Sequence, residues 1–212
     1  LPVIANRRIG SYYAVGATIV FVMGATLWPW GVLLIWPAIA LGIVAIAYFR
    51  VGPIVFHKTD GKLPWSTWFA LAPCLVGQYL SLLYYRSQCR SWDKVTPEIW
   101  IGGKLGSRNA KKAVCSGVVS VLDLSAEFSE TKPFLKINYR NIPILDLTAP
   151  TQSQLAEMSE FIGNHSRDGR VYVHCKIGYS RTAAAVAAYL IMSGNAKTAE
   201  EAFAMIRHVR PS

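Results

Sequence analysis

Two stretches without a single charged residue lie almost end to end near the start of the chain, Ser11–Trp28 (SYYAVGATIVFVMGATLW) and Val32–Phe49 (VLLIWPAIALGIVAIAYF). Wound as helices at about 1.5 Å per residue, each comes close to the thickness of a bilayer's hydrocarbon core. Only Pro29, Trp30 and Gly31 separate them, a turn-forming set that predicts a tight helical hairpin with Trp28 and Trp30 at the headgroup level. A domain of this size can hardly cover two such helices on all sides, and a cleaved signal peptide needs only one apolar region. The expectation is an antiparallel pair of transmembrane helices near 11–28 and 32–49.

A third apolar stretch, Trp65–Tyr85, is interrupted by Pro73, Gln78 and Ser81 and crowded with Trp and Tyr. It either spans or lies in the interface. Arg7 and Arg8 before the first span, and Arg50, Lys58 and Lys62 after the second, fall on one side of a regular hairpin, which the positive-inside tendency makes cytoplasmic. A spanning third helix would put everything after it outside. An interfacial or re-entrant one keeps it inside, beside Arg86, Arg90 and Lys94, and this second arrangement is the one expected, in a bacterial inner membrane or an equivalent one.

Charge divides the chain at the same place. Before residue 86 the only ionised groups are Arg7, Arg8, Arg50, Lys58, Asp60 and Lys62. The overall charge of +10 suits anionic lipid or phosphorylated substrates. Zinc-ligand spacing, a basic heptad region and an aromatic ribonucleoprotein signature are all missing, so nucleic acid is not an expected partner. Cys74, Cys89, Cys115 and Cys175 show no close paired spacing, which favours a reducing compartment. With Leu1 rather than Met at position 1, a trimmed or incomplete N-terminus is expected. The organisation read from the chain is a membrane region, 1–85, and a globular domain, 86–212.

The globular part reads as α/β. Ile99–Gly102, Gly117–Leu124, Lys136–Ile144 and Val171–His174 are candidate strands, the second a continuous apolar run suited to a sheet buried on both faces. Helices are predicted from a cap at Thr151 to Gly163, over Thr182–Met192, and over Thr198–His208.

The segment VYVHCKIGYSRT, residues 171–182, carries the chemistry. An apolar strand enters a loop from Cys175 to Arg181 that opens a helix. Backbone N–H groups of Lys176, Ile177, Gly178, Tyr179 and Ser180 and the positive end of the helix dipole form a cradle for a phosphate dianion. Gly178 supplies the position free to adopt positive φ. A thiol at a helix N-terminus beside a cation has its pKa lowered from about 8.5 to roughly 3.5–7.5, so Cys175 is expected to be a thiolate and a nucleophile. Arg181 offers a permanent, forked cation for two phosphate oxygens. Thr182, with Ser180, places a hydroxyl where it could bond the sulfur as it leaves. With Arg181 and the amides supplying positive charge, neither metal nor cofactor is called for.

HCKIGYSRT resembles the phosphate-binding loop of the cysteine-dependent protein tyrosine and dual-specificity phosphatases, with His174, Cys175, Gly178, Arg181 and Thr182 matching the motif. The resemblance covers roughly residues 92–212 and implies a mixed sheet flanked by helices and a general acid on a loop upstream of the cysteine. Asp146, in IPILDLTAP, is suitably placed, with Asp123 as the rival. Lys176 directly after the cysteine is similar to the lipid-directed members, the phosphoinositide phosphatases and the mitochondrial phosphatidylglycerophosphate phosphatases, which LDLTAPT and VAAYLI also resemble. Tyr179 departs from them, since a basic residue is usual there. The implied function is hydrolysis of a phosphomonoester on a membrane phospholipid, phosphatidylglycerophosphate before phosphatidylinositol phosphate. The alternatives are a membrane-tethered protein tyrosine or dual-specificity phosphatase acting on phosphoproteins, and a non-catalytic phosphate-binding scaffold.

Overall fold

The computed structural model describes residues 5–211. Helix α1 (Arg7–Thr26) starts four residues before the uncharged stretch because Asn6 caps it, its side-chain oxygen accepting from the Ile9 N–H at 3.2 Å. Helix α2 (Val32–Ile46) runs on through a wide π-type turn, Ala47–Val51, and a 3-10 turn, Gly52–Phe56. The two pack as the expected hairpin. At its tip a Cβ on Gly31 would lie 2.1 Å from the Gly24 carbonyl oxygen, so two bare backbones are what lets the tip close. Helix α3 (Trp65–Gln88) carries Pro73 within it. All three helical stretches are long and apolar enough to cross a membrane.

The globular part is a five-stranded sheet in the order β1-β2-β5-β3-β4, with β1 (Trp92–Lys94), β2 (Ile99–Gly103), β3 (Val118–Ser125), β4 (Asn138–Ile144) and β5 (Arg170–Cys175). Only β1 is antiparallel to its neighbour. The parallel strands need apolar side chains on both faces. One face meets α5 (Gln152–His165), α6 (Ser180–Met192) and α7 (Ala199–Val209) through Leu122, Val173, Met158, Ile162, Val186 and Ile206. The other meets α4 (Ser107–Cys115) and Phe134 through Trp100, Val121 and Tyr172. This is the anticipated mixed sheet flanked by helices. Thr151 caps α5 in a reciprocal capping box with Gln154, and the helix passes through Gly163 to His165 before it ends.

A third core runs without a boundary from the apolar helices into the sheet. Ala40, Val44, Tyr48, Leu71 and Leu75 from the apolar helices pack with Ala126 and Leu145 of the globular part. Burying a leucine side chain is worth about 1.5–3 kcal/mol, and Leu71 and Leu75 are both almost wholly buried. Polar ties reinforce the seam. Lys58 pairs with Asp123 at 2.6 Å, both side chains buried. The Leu63 N–H donates to Ser129 Oγ at 2.9 Å, the Glu130 N–H to the Gly61 carbonyl, and Arg86 to the Lys104 carbonyl at 2.7 Å.

Candidate active site

Strand β5 delivers Cys175 to the C-terminal edge of the sheet, and α6 begins at Ser180, so the loop between them is pinned at both ends. Its carbonyls are claimed from outside: Lys176 O accepts from the Lys104 N–H at 3.0 Å and Ile177 O from Arg210 at 2.8 Å. These two carbonyls are thereby held outward, the orientation an anion-binding loop needs if its N–H groups are to face a ligand. The Gly178 N–H donates to Cys175 Sγ at 3.3 Å. Gly178 has φ +78°, and a Cβ there would sit 2.2 Å from the Gly102 carbonyl carbon. Glycine is needed both for the conformation and for the approach of β2.

Arg181 is buried, and both of its Nη atoms are engaged. Its Nη1 donates to Glu127 Oε2 at 3.2 Å and to the Ile144 carbonyl at 2.8 Å, its Nη2 to Glu127 Oε1 at 3.0 Å and Asp146 Oδ1 at 2.9 Å. Burial alone would lower the guanidinium's pKa, but Glu127, Cys175 and Asp146 outweigh it and the pKa is raised. Burial likewise pushes Glu127 up, and Arg181 overcomes it, leaving that carboxyl below its ordinary value. Asp146 thus reaches Arg181 at the end of the loop. Asp123 is engaged elsewhere: its carboxylate accepts from Lys58, from Ser125 and from Tyr139.

His174 is wholly buried, with Nε2 2.9 Å from Glu130 Oε2 and its ring against Tyr172 and Phe134. Asp123, Glu130 and His174 cluster closely enough to hold a metal, yet Lys58 and Lys104 already sit on the two carboxylates at 2.6 and 3.2 Å, so no uncompensated charge is left to offer one. Both acids are held below their ordinary pKa, the lysines and His174 overcoming burial. The Thr182 hydroxyl is buried without a hydrogen-bond partner among the described residues, so the expected bond to the sulfur is not made in this state, and Ser180 faces solvent.

The wall facing the cradle comes from the apolar N-terminal helices. Lys176 Nζ donates to Gln78 Oε1 of α3 at 2.6 Å, and Gln78 Nε2 donates to Tyr13 Oη of α1 at 3.4 Å. Burial lowers the Lys176 pKa, partly offset by Asp146 and Glu127. Tyr48 of the π-type turn donates to the Asp146 carbonyl at 3.0 Å, and Asn6 to that of Leu147 at 2.8 Å. A void of about 20 Å³ between Tyr13, Tyr48, Gln78, Glu127 and Asp146 has room for about one water. A far larger cavity, about 520 Å³, lies between 51–58 and the edge formed by β4 and α5, and neither Cys175 nor Arg181 lines it. Tyr179 docks sideways, its hydroxyl 3.4 Å from Cys89 Sγ and its ring under the Arg210 guanidinium.

Glu127, Gln78 and Arg210 are the residues that sequence reasoning missed. Arg210 is fixed by Asp93 of β1 at 2.7 Å, an ion pair between the two ends of the globular part. The one available signal was for Glu127, an acid in an otherwise apolar and small-residue run after a buried strand.

Residues 99–212 match the family model described as dual specificity phosphatase, catalytic domain. The chain is similar to the phosphatidylglycerophosphate phosphatase PTPMT1 of Arabidopsis thaliana, 29% identical over 132 residues that make up 59% of this chain and 39% of that protein. It is also similar to the tyrosine-protein phosphatase CDC14 of Candida albicans, 33% identical over 102 residues, 45% of this chain and 18% of the relative. It therefore spans well under half the length of either. Among solved structures, PTPMT1 in complex with PI(5)P superposes with a TM-score of 0.52 at 25% identity, covering 57% of this chain and 83% of that one.

Proposed function

The chain belongs to the dual specificity phosphatases, a family of phosphoric monoester hydrolases, and from that premise we propose that it removes a terminal phosphate monoester from a membrane phospholipid through a cysteinyl-phosphate intermediate. Cys175 Sγ attacks phosphorus in line with the leaving oxygen, the P–O bond to the lipid alcohol breaks, and Asp146 gives that oxygen its proton. Water then attacks phosphorus with Asp146 taking its proton, the P–S bond breaks, and inorganic phosphate leaves. The loop amides and Arg181 hold the equatorial oxygens through both steps, and Glu127 keeps the guanidinium in its plane. Lys176 supplies a second cation at the rim.

The observation that carries the lipid reading is the Gln78–Lys176 hydrogen bond: an apolar, bilayer-length helix is packed directly on the phosphate loop. A peptide-directed enzyme on a tether would need no such contact. The relative named for phosphatidylglycerophosphate supports the same choice, with phosphatidylinositol phosphate second. The hairpin α1–α2 spans, and the globular domain lies on the cytoplasmic side with Arg7, Arg8 and Arg50.

The test is phosphate release by detergent-purified chain from phosphatidylglycerophosphate, phosphatidylinositol phosphates, and phosphotyrosine and phosphoserine peptides, with Cys175→Ser as the blank. Faster release from one lipid than from every peptide is expected. Faster release from peptides makes the chain a tethered protein phosphatase. No release with reduced, intact Cys175 makes it a phosphate-binding scaffold.

A further inference from the structure

The third apolar helix is polar-striped on one side. Thr67, Leu71, Leu75, Gln78, Leu82 and Arg86 follow one another at helical spacing, and all are turned toward the rest of the molecule: Thr67 donates to the Phe56 carbonyl, Gln78 accepts from Lys176, Arg86 donates to the Lys104 carbonyl, and the three leucines are buried. The opposite side is a continuous exposed apolar surface, with Trp65 at 81% exposure, Phe69 at 69%, and Leu80 and Tyr84 at 61% each. A patch of this extent on a soluble surface marks an interaction site.

Length alone would let α3 cross a bilayer, since 24 residues reach about 36 Å against about 30 Å of hydrocarbon. Its attachments argue otherwise. Leu63, two residues before the helix, is bonded to Ser129, and Arg86 in its last turn is bonded to Lys104. Lys104 in turn pairs with Glu130, the neighbour of Ser129. A polar relay thus runs beneath the helix from one end to the other, through the globular domain. A crossing helix would carry this relay through hydrocarbon, with unsatisfiable cost. The α1–α2 hairpin adjoins this face, for Trp36 of α2 donates its indole N–H to the Phe69 carbonyl at 3.1 Å and stacks on the Phe69 ring, and the hairpin's near ends, Asn6 and Tyr48, sit on the Asp146–Leu147 segment.

We infer that α3 lies flat in the headgroup layer, its outer face the docking surface for the bilayer and its inner face the roof of the phosphate cradle, so that the substrate monoester enters from the lipid interface. The placement of α3 stands independently; the route of entry rests on the lipid-monoester reading.

The placement is tested on the full chain in sealed anionic phospholipid vesicles of one predominant orientation. Lys62→Cys and Ser87→Cys, both at exposed positions, are labelled with an impermeant maleimide from outside and, after detergent, with a second of different mass; exposed Cys115 is the internal reference. Equal outside fractions at all three positions are expected. Opposite fractions at 62 and 87, or protection of either until detergent is added while Cys115 is labelled from outside, overturn the placement. For the route, Trp65→Glu with Tyr84→Glu is expected to slow hydrolysis of vesicle lipid roughly tenfold or more while a soluble aryl phosphate loses under twofold. Equal losses overturn it. If the chain hydrolyses no lipid at all, the functional reading fails while the labelling result remains decisive for α3.

Discussion

Replacing Glu127 by Gln keeps the shape of the side chain and removes its charge. In the native protein both carboxylate oxygens accept from Arg181, and Oε2 also accepts from the Ala126 N–H at 2.9 Å. Breaking one side of a buried pair costs about 3–5 kcal/mol, because the other charge stays buried and uncompensated. Here Asp146 and the Ile144 carbonyl remain on the guanidinium, and the glutamine oxygen still accepts one bond, so the expected loss is about 2–3 kcal/mol. At about 2–4 °C per kcal/mol for a chain of this size, the Tm should fall by roughly 4–12 °C. The pH dependence follows from the lowered carboxyl pKa. A depressed acid contributes stability that is complete above its unfolded value, about 4.3, and is lost as pH falls through the folded one. The wild-type advantage is therefore full at pH 7 and shrinks below about pH 4. The other depressed acids, Asp123 and Glu130, are common to both proteins and cancel. Thermal unfolding of both in detergent, at pH 7 and at successively lower pH, measures this. Equal Tm values at neutral pH, or a gap undiminished in acid, would refute the assigned pairing.

Asp146→Asn should slow hydrolysis of alkyl phosphates at least tenfold more than of aryl phosphates, whose leaving oxygen needs less protonation; equal losses in steady-state kinetics place the acid elsewhere. Gly178→Ala puts a methyl into the Gly102 backbone at an unfavourable φ, costing at least about 1–2 kcal/mol for the left-handed conformation alone. Inorganic phosphate should bind roughly tenfold or more weakly to it, and unchanged product inhibition would contradict the described loop. Gln78→Leu should raise KM for the lipid about tenfold, the cost of one hydrogen bond to a charged group, with a smaller change in kcat. In a Lys176→Met background the same substitution should add little, and additive effects in that double-mutant cycle would mean that Gln78 acts apart from Lys176.

The hairpin and the phosphate loop were legible because each is written in consecutive residues: two uncharged runs with a turn between, and an apolar strand, Cys175, Gly178 and Arg181 in one short segment. Asp146 was legible from its place before a capped helix. What remained hidden is paired across distance. Nothing near Glu127 announces Arg181, 54 positions away, and Gln78 read as an interruption of an apolar stretch when it is the partner of Lys176, 98 positions away. Strand β1 is three residues long, too short to show alternation, and carries Asp93 for Arg210. Helix α4 (SRNAKKAVC) buries Ala110 and Ala113, whose small side chains make a weak periodic signal. Tyr179, a departure at the level of motif, is explained by its seat between Cys89 and Arg210.

The buried Lys58–Asp123 bridge welds the segment after the hairpin to the central sheet, and with Leu63 and Arg86 it leaves no slack between anchor and domain. With the hairpin spanning as proposed, the domain would be a fixture of set height over the membrane plane, unable to sweep a volume as a head on a string would. On the lipid-monoester proposal its encounters would become a search in two dimensions, governed by the mole fraction of substrate in the surface and slowed when inert lipid is added at constant bulk concentration.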